Sequence, residues 1–183
     1  GVLKRGLLFL RHVQRAEVRR NGELLLQCVL ERPSDATLSI TFGPKRVVER
    51  WHILRCDAKA AAASLCHRFP RLAELKRKTE VSIGLRIDPE PLDQGFLYAF
   101  LPTEQQSGLP VHINADFFPE ADRKTLIFAG HQEPQVWNEM LVETAAKELA
   151  RDPEFLLQLL GFEQLWRIFS KAYDLSRSSN RPA

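Results

Sequence analysis

The sequence predicts an α+β fold, a two-layer α/β sandwich of a mostly antiparallel sheet with helices at the C-terminal end of the chain. Three observations predict it. Short segments that alternate polar and apolar residues occur within residues 13–113, with turn-forming residues between them. Residues 58–78 change to helical spacing, and so does the last third of the chain from about residue 134. This order of strands, helix, strands and final helices argues against a doubly wound parallel sheet.

The first four predicted strands form an antiparallel meander. Asn21-Gly22 is a strong signal for a two-residue hairpin, because both turn positions tolerate positive φ. Gly43-Pro44 ends the third strand. The strands of the meander are predicted at residues 13–19, 23–30, 37–42 and 47–56.

The middle of the chain mixes one helical segment with further strands. Pro70 divides the helical segment 58–78 into two pieces. The dense apolar run 95–101 predicts one continuous strand, and the polar residues 105–108 predict the loop that follows it. The other strands of this region are predicted at residues 79–87, 109–113 and 126–128.

The last third predicts helices. Asp152 followed by Pro153 is typical of a capped helix start, and Gly161 can end that helix. Along the whole chain we expect a short helical segment, a sheet-rich α/β domain, a set of C-terminal helices and a frayed polar tail. These segments are residues 1–12, 13–132, 133–175 and 176–183.

Composition restricts the class of protein. The chain has 183 residues and a formal net charge of +3, which is weaker than the basic stripe of a dedicated nucleic-acid binder. Its three cysteines are an odd number without C-x-x-C spacing, which favours a reducing, cytoplasmic location over a disulfide framework. The apolar runs are far shorter than the roughly 18 residues of a membrane span. We therefore expect a cytoplasmic protein without a membrane segment.

Motifs for catalysis and metal binding are absent from the sequence. Neither common phosphate-binding loop occurs, and no nucleophile elbow or H-E-x-x-H helix occurs. Glu143, Lys147 and Glu148 have the spacing of surface charge pairs on a helix. The cysteines Cys28, Cys56 and Cys66 are expected to be buried apolar thiols. The histidines are expected to be surface or half-buried residues; they are His12, His52, His67, His112 and His131.

One set of segments carries a family resemblance. It consists of residues 95–103, the run 109–118, Asp122-Arg123-Lys124 and Trp137-Asn138, together with the opening residues 7–13. This combination resembles the region that follows the nucleotide-binding domain in sacsin-type proteins, relatives of the ninety-kilodalton heat-shock chaperone in the GHKL ATPase superfamily. The matches cover most of residues 3–141. The resemblance implies the fold of a GHKL middle domain, with residues 1–12 as the exit helix from an upstream domain.

The ATP site of that superfamily is missing from this chain. Glu17 to Asn21 matches its E-x-x-x-N motif as a string, but Asn21 belongs to the hairpin signal and not to a helix. Asp93-Gln94-Gly95 lacks the second glycine of D-x-G-x-G, and no glycine lid follows. The resemblance therefore implies a chain that begins after the ATPase domain. We expect no cofactor and no catalysis in this chain, with Mg-ATP bound by the full-length protein.

The resemblance also implies a role for one loop. In the chaperone relatives, the second domain sends an arginine to the γ-phosphate a few residues after a leucine-proline-leucine strand. Leu109-Pro110-Val111 matches that strand, but Ala115 stands in the place of the arginine. Arg123, with Lys124 beside it, is the nearest substitute, and these two are the candidate γ-phosphate contacts. The alternative for Arg123 is a solvated or structural loop residue, and both remain open.

Two classes of function follow. The first is a coupling domain that links the ATP state of an upstream ATPase domain to client proteins or partners, a second copy of the protein among them. The second is a stand-alone interaction or nucleic-acid module, in which Lys45, Arg46 and Arg50 would meet phosphates. The aromatic residues of the resembling segments are expected in the core, with Trp137 packed on the sheet at the start of a helix. The others are Phe117 and Phe118.

Overall fold

The computed structural model of this chain describes residues 6–43, 46–130 and 132–179. Among these residues, eight strands form one open sheet in the order β1-β2-β3-β4-β5-β8-β6-β7. Neighbouring strands are antiparallel except β6 and β8, which are parallel. The strands are β1 (Arg15–Arg20), β2 (Glu23–Glu31), β3 (Thr37–Phe42), β4 (Val47–Asp57), β5 (Glu80–Asp88), β6 (Phe96–Ala99), β7 (Leu101–Gln106) and β8 (His112–Asn114). This confirms the α+β class and the mostly antiparallel sheet.

Five helices accompany the sheet in the described part of the chain. They are α1 (Lys59–Arg68), α2 (Pro70–Glu74), α3 (Gln132–Arg151), α4 (Pro153–Leu160) and α5 (Phe162–Ser179). Pro70 starts α2, as expected from its fixed φ. Asp152 caps α4 by accepting a hydrogen bond from Phe155 N at 2.9 Å. None of these helices is long and apolar enough to cross a membrane.

The meander β1–β4 follows the sequence pattern closely. Asn21 and Gly22 form the first turn with φ values of 51° and 83°, as a two-residue hairpin requires. In β3, Leu38, Ile40 and Phe42 are buried and alternate with half-buried residues. The alternation therefore predicted which face of this strand is in the core.

Two hydrophobic cores lie on opposite faces of the sheet. Neighbouring residues of β4 belong to different cores, Ile53 to one and Leu54 to the other, because successive side chains point to opposite faces. One core joins all five helices to the central strands. The other contains Leu7 and Leu8 of the N-terminal segment, packed against β2, β3 and β4. Of the predicted helix 1–12, residues 6 and 7 are helical, and residues 1–5 lie outside the described residues.

The apolar run 95–101 departs from the prediction of one strand. It reverses at Phe100, which has a φ of 63°, so that its two parts belong to β6 and β7. Asn114 Oδ1 accepts a hydrogen bond from Phe100 N at 3.0 Å and holds the reversal from the neighbouring strand β8. The predicted loop 105–108 begins two residues late, since β7 runs to Gln106.

Two other elements near the C-terminal half also differ from the prediction. The predicted strand 126–128 is reduced to an isolated bridge between Pro119 and Leu126. The last helix continues to Ser179, past the start of the tail expected at residue 176, and residues 180–183 lie outside the described residues.

Candidate functional site

The loop that carries Arg123 and Lys124 lies between β8 and α3. Its base is fastened by the first buried residues of α3. Trp137 Nε1 donates to Asp116 O at 2.9 Å. Asn138 Oδ1 accepts from Phe118 N at 2.7 Å, and its Nδ2 donates to Phe118 O and to Ile127 O, each at 2.9 Å. Because both side chains are fully buried, the Trp137-Asn138 pair acts as a clamp that fixes the path of this loop.

A second anchor reaches the loop from the segment after α2. The guanidinium of Arg77 pairs with Asp116, with Nη1 at 2.6 Å from Oδ1, and lies 3.4 Å from the centroid of the Phe118 ring. The other carboxylate oxygen of Asp116 accepts from Lys78 N at 3.0 Å. Burial lowers the pKa of Arg77, and the charge of Asp116 opposes that shift. The loop base is therefore held by both an ion pair and a cation–π contact.

The tip of the loop is a tight turn that presents Arg123. Arg123 has a φ of 57°, and its backbone N donates to Glu120 O at 2.9 Å. A left-handed backbone at a residue other than glycine costs about 1 kcal/mol, and such strain is enriched at functional sites. The side chain of Arg123 is exposed. The turn therefore presents the guanidinium to solvent on a backbone that hydrogen bonds hold in place.

Lys124 is engaged differently from Arg123. Its backbone O accepts from Glu104 N of β7 at 2.6 Å, which ties the loop to the edge strand of the sheet. Its Nζ lies 3.9 Å from Glu104 Oε1, and the lysine side chain is 62% exposed. An exposed pair at this distance contributes little to stability, about 0–1 kcal/mol. The charge of Lys124 thus remains available to an anion near the loop.

Arg123 stands at a cleft of about 340 Å³ between the loop and the β6–β7 turn. The cleft has an apolar side formed by Phe100 and Leu101, and Arg77 also lines it. Two arginines line this cleft, and Arg77 is already ion-paired with Asp116. Among the described residues of the lining, no carboxylate lies within ion-pair distance of Arg123. The arrangement can therefore hold an anionic group at Arg123 beside an apolar surface.

Ala115, at the position where the resemblance to the ATPases would call for an arginine, lies in the hydrophobic core. Its side chain is 1% exposed, in the core beneath the helices. Its backbone N donates to Tyr98 O at 3.1 Å, which fixes its orientation. A long cation at this position would be buried without a partner, which is costly.

The histidines and cysteines form no site in the described residues. His112 was expected at the surface or half-buried, and this is wrong. It is 3% exposed, its Nδ1 accepts from Phe96 N at 3.0 Å, and its ring stacks on Trp51 with centroids 5.4 Å apart. His12 and His67 are exposed and His52 is half-buried, while His131 lies outside the described residues. Cys28 is buried, but Cys56 and Cys66 are only half-buried, because each lies at the margin of the core that joins the helices to the central strands.

The other candidate groups have ordinary surroundings. No group of three or more potential metal ligands occurs in the part of the chain that the structure describes. Glu143 and Lys147 form the expected surface pair on α3, with Nζ 2.8 Å from Oε1. Arg50 pairs with Asp88, Arg46 is exposed, and Lys45 lies outside the described residues.

Sequence reasoning placed Arg123 and Lys124 in a loop but missed the cleft beside them. Arg77 and Phe100 were not predicted as part of it, since the contacts that bring them there span many residues. No pattern within a short stretch of the sequence indicates a cleft that is formed by distant residues. No family model matches the sequence, and the searches of curated proteins and of solved structures find no similar protein.

Proposed function

We propose that this chain is the middle, coupling domain of a chaperone-like GHKL ATPase, which links the ATP state of an N-terminal domain to client or partner binding. The observation that carries the proposal is the position of Arg123, exposed at the mouth of a cleft on a loop whose base is clamped by Trp137 and Asn138. The resemblance of residues 95–124 to the middle region of these ATPases supplies the reaction.

Transfer of a phosphoryl group requires a positively charged side chain that is held in position before the reaction begins. During transfer of a γ-phosphoryl group, negative charge develops on its oxygens, and a fixed positive group stabilises that charge without a reorganisation cost. Arg123 meets this need better than a residue on a free loop, because hydrogen bonds to Asn138 and Trp137 hold the flanking backbone and one from Lys78 N holds the Asp116 side chain. Lys124 would add a second charge at the same tip.

The ATP site itself is assigned to the upstream domain. Glu17 lies in β1 and Asn21 in the hairpin turn, so these residues do not share a helix face as the family motif requires. Asp93 is exposed and pairs with Arg167. These residues therefore do not form a site for Mg-ATP. Isothermal calorimetry of this chain with Mg-ATP should therefore give no binding in the micromolar range.

The decisive experiment uses the protein with its upstream domain. Arg123→Ala and Lys124→Ala, singly and together, should lower ATP turnover while leaving nucleotide affinity nearly intact, because the contact strengthens towards the transition state. Loss of one preorganised donor predicts a fall of about 100-fold. Arg20→Ala is the matched control, since Arg20 is exposed at the end of β1.

A double variant with wild-type turnover and wild-type melting temperature would rule out the catalytic role. Early melting of the double variant would assign Arg123 to a structural role instead.

The alternative, a nucleic-acid module based on Lys45, Arg46 and Arg50, has weaker support. Arg50 already pairs with Asp88, which offsets its charge. Retention of the chain on immobilised DNA that falls steeply as salt rises would favour this alternative.

A further inference from the structure

The positive charge of this protein is concentrated in one short stretch of the chain. Residues 67–78, here called the basic segment, contain five arginines and lysines and one acidic residue, Glu74, which gives a formal net charge of +4. The whole chain carries +3, so the residues outside the segment sum to −1. The five cations are Arg68, Arg71, Lys76, Arg77 and Lys78. The modest total charge therefore conceals a strongly positive local patch.

Most cations of the basic segment lack a counter-charge. Arg77 is neutralised by Asp116. The other four are exposed, and in the part of the chain that the structure describes they have no carboxylate within ion-pair distance. By contrast, Arg15, Arg50 and Lys147 elsewhere on the surface each pair with a carboxylate. A group of exposed, uncompensated like charges attracts a polyanion.

The fold gathers these cations at one end of the sheet. α1 and α2 form a helical excursion between β4 and β5, and it begins and ends beside Asp57 and Glu80, which are paired across those strands. Arg71 in α2 and Lys76 just after it are separated by a rise of about 8 Å along this helix. Leu72 is buried and anchors α2 in the core. The cations therefore belong to a compact, anchored element and not to a free loop.

An exposed aromatic ring borders the basic segment. Lys78 Nζ lies 5.6 Å from the centroid of the Phe100 ring, near the outer limit of a cation–π contact. Phe100 is 45% exposed at the turn between β6 and β7, where a hydrogen bond to Asn114 holds its backbone. A cation and an aromatic ring thus lie side by side at the surface. Proteins use this pair of groups to bind a nucleotide of a single strand, since the phosphate contacts the cation and the base stacks on the ring.

We infer that the basic segment and Phe100 bind a single strand of nucleic acid, with phosphates on the four unpaired cations and one base stacked on the ring. The inference goes beyond the proposed function and uses neither Arg123 nor Lys124. It also concerns a different surface from that of Arg46, which precedes β4, whereas the basic segment follows the end of this 11-residue strand.

The exposed ring distinguishes a single strand from other polyanions. In a duplex the faces of the bases are stacked inside the double helix, so no base reaches Phe100 without unpairing. An acidic peptide would match the cations, but its carboxylates have no flat face to place on an aromatic ring. A single strand satisfies both the charge of the basic segment and the exposure of Phe100.

Electrostatics determines how the binding should depend on salt. Four phosphate contacts to a single strand predict a slope of about −2.8 when the logarithm of the association constant is plotted against the logarithm of the salt concentration. Between about 50 and about 200 mM salt, this slope corresponds to a loss of affinity of about 50-fold. For contacts that do not read the sequence, we expect a dissociation constant on the order of 10 µM at physiological salt.

Fluorescence anisotropy of a labelled oligothymidylate of about 16 nucleotides, titrated with the 183-residue chain, tests the inference. Lys76→Gln combined with Lys78→Gln should reduce the slope to about −1.4 and weaken binding about 10-fold at physiological salt. Arg15→Gln combined with Arg19→Gln is the matched control, because it removes the same charge from β1, where Glu17 pairs with both arginines. The control should bind within about 2-fold of the wild type, since exposed charges at a distance are screened.

Three results of this titration would overturn the inference. The first is the absence of micromolar binding at low salt. The second is an equal loss of affinity in the matched control, which would show a general effect of net charge. The third is a competitor that displaces the labelled strand as well as unlabelled oligothymidylate does. Polyglutamate in that role would indicate an acidic protein partner, and a duplex of the same length would indicate double-stranded nucleic acid.

The aromatic ring allows an independent test. Phe100→Leu keeps an apolar side chain at the turn and should weaken binding about 10-fold without changing the salt slope, because stacking releases no counterions. Phe100→Tyr should retain the affinity, since it keeps the ring. Melting temperatures equal to that of the wild type confirm that both variants are folded. A folded Phe100→Leu protein that binds as tightly as the wild type overturns the inference.

Discussion

Gly95 lies directly against the main chain of Val111, so that a β-carbon built on Gly95 would overlap the Val111 carbonyl oxygen. Gly95 N donates to Leu109 O at 2.8 Å, and Gly95 O accepts from Ser107 N at 3.0 Å. The residue is therefore enclosed by two stretches of backbone immediately before β6. Glycine is required here by the close approach of another main chain.

We predict that Gly95→Ala destabilises the protein by about 3 kcal/mol or more, because backbone atoms have to move to admit the new methyl group. Urea unfolding followed by circular dichroism measures the change. Gly22→Ala is the control, since a β-carbon at Gly22 would meet nothing within 4 Å and only its φ of 83° would be strained. That strain costs about 1 kcal/mol. Equal stabilities of the two variants would contradict the prediction.

Asn138→Ala should destabilise the protein by about 3 kcal/mol, because it removes the partner of Phe118 N and of Ile127 O and leaves Phe118 O with Ile127 N alone. Hydrogen exchange should also become faster at the amides of residues 116–128. Glu139→Ala, at an exposed position on the same helix, should change neither quantity. A loop that keeps its exchange protection in Asn138→Ala would show that the clamp is unnecessary.

Arg77→Ala should cost about 2 kcal/mol, since it leaves the half-buried Asp116 without its ion-pair partner and removes the guanidinium from the Phe118 ring. Arg77→Lys should recover only part of the loss, because an ammonium cannot stack as a planar guanidinium does. The melting temperatures of the wild type, Arg77→Ala and Arg77→Lys give the order of their stabilities. Arg151→Ala serves as the comparison, as Arg151 is 75% exposed in its pair with Glu148 and should matter little. A loss in Arg77→Ala no larger than that in Arg151→Ala would refute the prediction.

Cys56 should react slowly with alkylating reagents in the folded protein. Burial, aided by the charge of Glu148, raises the pKa of its thiol to about 11 from an ordinary value near 9.0. At pH 8 the thiolate fraction should fall by about 100-fold relative to the unfolded chain. Pulse alkylation with mass spectrometry of the Cys56 peptide, with and without urea, measures the ratio. Equal rates in the two conditions would be inconsistent with this environment.

The same shift predicts a pH dependence of stability. The folded state holds the Cys56 proton more tightly than the unfolded state, so its contribution is complete below pH 9 and is lost as pH rises through about 11. Cys56→Ser should flatten this part of the stability profile. An unchanged profile would assign the alkaline loss of stability to other groups.

The local pattern of the sequence was sufficient for the elements that local physics determines. Asn21-Gly22 and Asp152-Pro153 act through their own backbone preferences, and both formed the turn and the helix cap predicted for them. The alternation in β3 likewise placed Leu38 and Ile40 in the core. Such features depend on residues that are close together in the chain, and a short window contains all the relevant information.

Features that depend on distant residues could not be predicted in this way. The run 95–101 is apolar on both sides of Phe100, and its reversal depends on Asn114 of a later strand. His112 is buried because β8 is inserted beside β5, where the ring meets Trp51. The cleft at Arg123 depends in the same way on the pair between Arg77 and Asp116, which are 39 residues apart in sequence. No sequence period signals contacts of this kind.

The position of β8 between β5 and β6 has a consequence for the order in which the sheet is assembled. Strands β1 to β5 pair with sequence neighbours and can form as soon as they leave the ribosome. The β6–β7 hairpin has no place in the sheet until residues 112–114 arrive, because β8 alone joins it to β5. A chain that stops before residue 112 should therefore expose the free edge of β5 and aggregate through it. The short strand β8, the last strand in the sequence, therefore completes a sheet whose two parts cannot join without it.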